Sequence, residues 1–259
     1  MDGQPEHAVA GATPAPIQPW ERVAVVGMPG TGKSELLLSL WADEPGQRLL
    51  IDVQDAYYLG PAALEDENGC QEVHGNPKTI DWSNRTIRYT PARAGRAARG
   101  EFEDLYAAIW ARAQRFETLG HLTVLLDESY GPTEANWSPT YLTTALTQGR
   151  KKHLRHMAGM QRPAKVSPEI LETADHFFVF LMGSRRDDLD RIGERFGWNG
   201  SEVGEELRAL AEQYGYDDNG RFRCHGYLRH RAGQLEVHAY PPLPASTLER
   251  TRRHVVNAT

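Results

Sequence analysis

Apolar residues in this chain come as short unbroken runs separated by stretches in which they recur every three or four positions. Six runs predict strands: Val23 to Val26, Arg48 to Val53, Thr86 to Tyr89, His121 to Leu126, Leu154 to Met160 and His176 to Met182. Several of them lack alternation with polar residues, as expected of strands covered on both faces. Between them, Ser34 to Trp41 and Tyr141 to Gln148 read as helices. Phe102, Leu105, Ile109, Ala113 and Phe116 mark an amphipathic helix by their spacing of three and four. Strands alternating with helices predict an α/β fold whose central sheet is mainly parallel and flanked by helices.

The last third breaks this rhythm. Helical patterns at Asp187 to Phe196 and Ser201 to Tyr214 precede a hairpin over Arg221 to Tyr240 that turns near Arg231 to Gln234, and Pro241, Pro242 and Pro244 then stop it. The expected organisation is one domain over residues 20–245, with a small C-terminal helix and hairpin addition from about 187. Residues 1–19, punctuated by Gly3, Pro5, Gly11, Pro14, Pro16 and Pro19, read as a flexible arm, either an inert tail or a strap for a partner. Residues 246–259 read as a tail. Gly60 to Arg85, rich in Gly, Asn, Asp and Glu, reads mostly as a long surface excursion.

The first strand carries the chemistry. Gly27 to Ser34 spells G-x-x-x-x-G-K-S between a strand and a helix, the context in which this motif wraps nucleotide phosphates. Glycines at 27, 30 and 32 let the backbone close around the phosphates, so its N–H groups and the helix N-terminus meet the negative charge. The candidate ATP contacts are Gly27, Pro29, Gly30, Thr31, Gly32, Lys33, Ser34 and Glu35. Lys33 reaches the β- and γ-phosphates and the Ser34 hydroxyl ligates magnesium.

Leu122 to Glu128, LTVLLDE, is a second apolar strand that ends in carboxylates. Beside a phosphate-binding loop, Asp127 holds Mg2+ and Glu128 polarises a water for attack on the γ-phosphate. The same two residues taken alone could be an Asp-Glu turn. Glu128 also separates a hydrolase from a small-molecule kinase, which must keep water out. Asp52 and Asp55, after the second strand, are either site residues or strand caps.

Composition narrows the picture. A net charge of −6 over 259 residues excludes a generic polyanion binder. No apolar run approaches the roughly 20 residues that span a bilayer. Two cysteines without metal-type spacing, Cys70 and Cys224, suggest a reducing, cytoplasmic setting.

Gly149-Arg150, Gln161-Arg162-Pro163 and Ala174-Asp175 follow in order after the two motifs above. Over about residues 22–190 the chain thereby resembles the HerA/FtsK superfamily of DNA-translocating ATPases. Its size and layout look most like the genome-packaging ATPases of tailless, membrane-containing icosahedral viruses. The resemblance implies a RecA-like P-loop NTPase, with Lys33, Glu128, Gln161 and Arg150 as catalytic residues. Gln161 is then the sensor of the γ-phosphate at the end of the fifth strand. Arg150 reaches a neighbouring subunit's phosphates, with Arg155, Arg162, Arg185 and Arg186 as rivals. It also implies a homo-oligomeric ring, a hexamer, acting on double-stranded DNA in the host cytoplasm or virion. A viral relative would have a capsid or membrane vertex protein as partner.

An acidic protein can hold DNA only through local patches. Ala135 to Pro168 contains no Asp or Glu but carries Arg150, Lys151 and Lys152. Trp82 to Gly100 is also acid-free and carries Arg93, Arg96 and Arg99 among glycines and alanines that suggest a mobile loop. In a ring such segments multiply into a phosphate-binding surface indifferent to base sequence; otherwise they are solvated faces or subunit contacts. The alternatives to a translocase are a P-loop kinase for a small molecule, a non-motor ATP-binding tethering module, and a conjugation or secretion coupling ATPase of the same superfamily.

Overall fold

A computed structural model describes residues 17–55, 70–215, 225–231 and 234–240. Its strands are β1 Val23–Val26, β2 Gln47–Ile51, β3 Gln71–His74, β4 Thr86–Thr90, β5 Leu122–Leu126, β6 Leu154–Met160, β7 His176–Val179, β8 His225–Arg231 and β9 Gln234–Tyr240. They form one sheet in the order β3-β4-β2-β5-β6-β1-β7-β8-β9. Every pairing from β3 to β7 is parallel, and β8 and β9 close the edge antiparallel. The expected hairpin is therefore an extension of the main sheet, its turn lying outside the described residues.

The helices are α1 Lys33–Ala42, α2 Arg99–Ala113, α3 Phe116–Leu119, α4 Thr140–Gln148, α5 Pro168–Glu172, α6 Arg186–Phe196 and α7 Gly200–Tyr214. Alternate residues of each strand serve two cores, because successive side chains point to opposite faces. On one face Val23, Val25, Leu125 and Met157 pack with Leu36, Leu37 and Trp41 of α1. On the other, Ala24, Val26, Val124 and Leu126 meet α2, α4, α5, α6 and α7 through residues such as Leu105, Leu142, Ile170, Ile192 and Leu207. Asn199 starts α7 with a reciprocal cap: its side chain accepts from Glu202 N at 3.0 Å while Glu202 accepts from Asn199 N at 2.7 Å.

Two expectations change. The excursion from Gly60 to Arg85 contains a strand, β3, so the strands expected as third to sixth are β4 to β7. As an edge strand β3 pairs on one side only, and of its four residues Val73 alone is buried, so there is no apolar run to notice. The stretch around Arg93 to Arg99 is not an open loop. Gly95–Ala98 forms a 3-10 turn and Arg99 opens α2. The arm before residue 17, Cys224, the proline-rich stop and the C-terminal tail lie outside the described residues.

Candidate functional site

The loop after β1 is built to receive an anion. Gly30 and Gly32 have φ of 80° and 89°, in the left-handed region that side chains disfavour. Gly32 caps α1 without any side-chain cap, which leaves the first helical N–H groups for a ligand. Thr31 turns inward and donates its hydroxyl to Met28 O at 2.8 Å. Gly27 N donates to Met160 O at 3.2 Å and Met28 N to Leu181 O at 3.0 Å, so the loop is anchored to the strands on either side of β1.

Strand order brings the other groups alongside. β6 lies between β1 and β5, with Val26 paired to Met160 and Leu126 to Ala158. The residues just beyond these pairs, Gly27, Gln161 and Asp127-Glu128, leave adjacent strand ends on the same edge, where open α/β sheets bind ligands. Ser129 fixes the acids against β6: its N and Oγ both donate to Gly159 O, at 2.8 and 2.9 Å. Gly159 permits that approach, because a Cβ there would lie 2.3 Å from Asp127 O.

A cavity of about 270 Å³ results, lined by Met28, Pro29, Gly30, Gly32, Lys33, Ser34, Glu35, Gln54, Asp127, Glu128 and Gln161. Of the expected contacts, Gly27 and Thr31 are not among the lining residues. Met28 and Gln54 were not foreseen. Ser34 and Asp127 together present hard oxygen donors to one cavity. That set suits Mg2+, which takes one or two protein oxygens and fills its shell with phosphate and water. Among the described residues no cluster of three or more His, Cys, Asp or Glu could hold a metal alone, so an ion here would be shared with the nucleotide.

Glu128 is 8% exposed and Lys33 7%. Burial pushes the Glu128 carboxyl above its ordinary range, and the Asp127 charge adds to this. The Tyr130 N–H, the Lys33 charge and a hydrogen bond from Gln161 pull the other way. The Tyr130 N–H donates to Glu128 Oε1 at 3.2 Å. A carboxylate that is shielded, raised and set in one cavity with a neutral amide is poised to accept a proton from water.

The remaining candidates lie elsewhere. Gly149–Lys152 precedes β6, so Arg150 stands at the opposite end of the strands from the cavity. Its Nη2 donates to Asp175 Oδ1 at 2.7 Å, with half of its side chain exposed. Arg22 Nε donates to Asp175 Oδ2 at 3.0 Å. Although burial opposes it, the hydrogen bonds and charge of Arg22 and Arg150 hold Asp175 down at about 2. Of the rivals, Arg155 is buried against Glu44, Arg162 pairs with Asp188 at 2.5 Å, and Arg186 reaches Asp190 at 3.4 Å.

Lys151 is exposed, whereas Lys152 lies over the Phe116 ring at 5.3 Å. Arg93 is exposed, and Arg96 and Arg99 both face Glu134, at 3.5 and 3.0 Å. Asp52 and Asp55 are bound by Arg88, at 2.8 and 2.5 Å, and neither lines the cavity.

A strand, a glycine-bearing phosphate loop and a helix, with an acid-ended strand two places along a mainly parallel sheet, make this a RecA-like P-loop NTPase fold. The comparisons agree. The chain is similar in structure to the genome packaging NTPase B204 from Sulfolobus turreted icosahedral virus 2 in complex with ATP-gammaS, with a TM-score of 0.59 and 17% identity over 88% of this chain and 100% of that one. It is similar to B204, the DNA-packaging ATPase from Sulfolobus turreted icosahedral virus, with a TM-score of 0.58 and 15% identity over 88% and 100%. EssC (ATPases 2 and 3) from Geobacillus thermodenitrificans gives 0.51 and 14% over 89% of this chain and 42% of that one. No protein-family model matches, and no curated protein matches in sequence. Among the described residues no helix is long and apolar enough to cross a membrane.

Proposed function

We propose that this chain is an ATPase that drives double-stranded DNA through a homo-oligomeric ring, a hexamer, with viral genome packaging as its setting. The observation that carries the hydrolytic half is the buried Glu128, set between Lys33 and Gln161 in one cavity at adjacent strand ends. Lys33 and the loop amides bind the phosphates, and Ser34 and Asp127 hold the metal. Magnesium, when bound, neutralises phosphate charge. Glu128 takes the proton of the attacking water, whose oxygen bonds to the γ-phosphorus as the bond to ADP breaks. Gln161 holds the Glu128 carboxylate in place and reports on the γ-phosphate. A small-molecule kinase would gain nothing from a general base aimed at water.

The two neighbours whose names refer to genome or DNA packaging share the fold, and exposed cations are available at both ends of the sheet: Arg93 and Arg96 at the cavity end, Lys151 at the other. Arg99 is the weakest of the proposed DNA contacts, being held by Glu134 and packed on Trp137 at 4.7 Å, and Lys152 stands second. Arg150, half exposed, is free enough to exchange Asp175 for a phosphate of the adjoining subunit. A capsid or membrane vertex protein would anchor the ring.

Steady-state ATP hydrolysis at low salt with magnesium tests the reading, comparing no nucleic acid with double-stranded and single-stranded DNA. Stimulation by double-stranded DNA, absent in Lys33→Ala, is the expected result. Hydrolysis indifferent to nucleic acid would turn the assignment toward the tethering module, and phosphate passed to an acceptor instead of water would turn it toward the kinase.

A further inference from the structure

One lining residue of the cavity belongs to no motif. Gln54 borders the same space as Glu128 and Gln161, and strand register explains how it gets there. β5 lies between β2 and β6, and Ile51 pairs with Leu126. The segments that leave β2 and β5 therefore emerge side by side. Glu128 is flanked by the Gln161 end of one neighbouring strand and the Gln54 end of the other.

The turn that carries Gln54 is held in an uncommon shape. Asp55 has φ of 52°, in the left-handed region, and aspartate is one of the side chains that enter it. Arg88 clamps the turn on both sides of Gln54. Its Nε and Nη2 donate to Asp52 Oδ2 at 3.0 and 2.8 Å, Nη2 donates to Asp55 Oδ1 at 2.5 Å, and Nη1 donates to Glu72 Oε2 at 2.7 Å. Asp52 and Arg88 are buried, whereas Gln54 is exposed and lines the cavity. A turn tied on one side of Gln54 by the buried Arg88–Asp52 pair and on the other by the exposed Asp55 carboxylate fixes the backbone beside a side chain that lines a ligand cavity, as functional sites do to pre-organise a group.

We propose that Gln54 is a second amide contact for the γ-phosphate end of the nucleotide, orienting the attacking water together with Gln161. This rests on the hydrolytic reading above. An amide donates and accepts at once, so its NH2 can meet a phosphate oxygen while its carbonyl accepts from the water. Gln54 exchanges no proton. The water proton still passes to Glu128 as the new P–O bond forms and ADP leaves. Arg88 is then a positioning residue acting through Asp52 and Asp55.

The test compares wild type with Gln54→Ala in two assays: steady-state hydrolysis, and equilibrium binding of a non-hydrolysable ATP analogue against ADP. Removal of one charge-assisted hydrogen bond should lower kcat about 10- to 100-fold, with KM changed by less than about threefold. The preference for the analogue over ADP should shrink several-fold while ADP affinity holds. A kcat within about twofold of wild type with an unchanged analogue preference overturns the proposal. A wild type that binds ATP without hydrolysing it overturns the hydrolytic reading instead, and the analogue preference then decides alone whether Gln54 touches the γ-phosphate.

Discussion

Strands β2 and β5 are neighbours in the sheet and end alike. Each is an apolar run that leaves the core in acids, Asp52 and Asp55 after one, Asp127 and Glu128 after the other. Their fates differ because of what faces them. Arg88, reaching from β4, claims Asp52 and Asp55 and makes that end an ion-paired scaffold. Glu128 has Lys33 and Asp127 nearby, accepts from the Tyr130 N–H, and opens on a cavity that Gln161 also lines. A pair of carboxylates at a strand end is thus not a site by itself. What decides is whether a guanidinium is already there to hold it.

The largest effect expected from this contrast is on turnover. Glu128→Gln should lower ATP hydrolysis by about 10²- to 10⁴-fold, the usual share of a general base, while ATP still binds; undiminished hydrolysis would remove Glu128 from its role. Next comes stability at the other strand end. Arg88→Met leaves the buried Asp52 without its cation and should cost about 3–5 kcal/mol in urea unfolding. An Arg88→Met variant as stable as wild type would mean the clamp holds nothing.

The pH dependence is subtler. The proposed mechanism needs Glu128 ionised, and its carboxyl sits above the ordinary 4.5. The rate should therefore fall, as pH is lowered, at a higher pH than for a free glutamate. The Gln161 hydrogen bond lowers that pKa, so Gln161→Leu should move the acid limb of the rate profile upward. A limb at the ordinary glutamate position in both proteins would break the argument. The smallest effect belongs to Arg150. Its pair with Asp175 is half exposed, so Arg150→Ala should change stability by about 1 kcal/mol or less. If Arg150 acts in trans, the variant should nevertheless lose the rise of specific hydrolysis with protein concentration. Asp175 stabilises the fold above its unfolded value of 3.8, a contribution lost as pH falls toward about 2.

Much of the fold was legible because buried parallel strands are apolar-rich without alternation: Val23–Val26 and Leu122–Leu126 are buried throughout, as is Leu154–Met160 with its Arg155 and His156. The edge strand β3 was not, since pairing on one side with a single buried residue leaves no period to read. The phosphate loop was legible for a different reason, its function being local in sequence. Gln54 was not, because its place depends on strand order. The surroundings of the basic segments were not legible, because their partners are remote in sequence: the fold brings Glu134 to Arg96 and Arg99.

The contrast between the two strand ends is tested most directly by urea unfolding of Glu128→Gln and Asp52→Asn, side by side at neutral pH. Glu128 is a desolvated carboxylate beside Asp127, kept for a ligand at the expense of the fold, so neutralising it should raise the midpoint. Asp52 is a satisfied partner of Arg88, so neutralising it should lower stability by about 1–3 kcal/mol. Shifts of opposite sign are the predicted result. A midpoint that falls for both variants would contradict the distinction and place Glu128 among the structural acids.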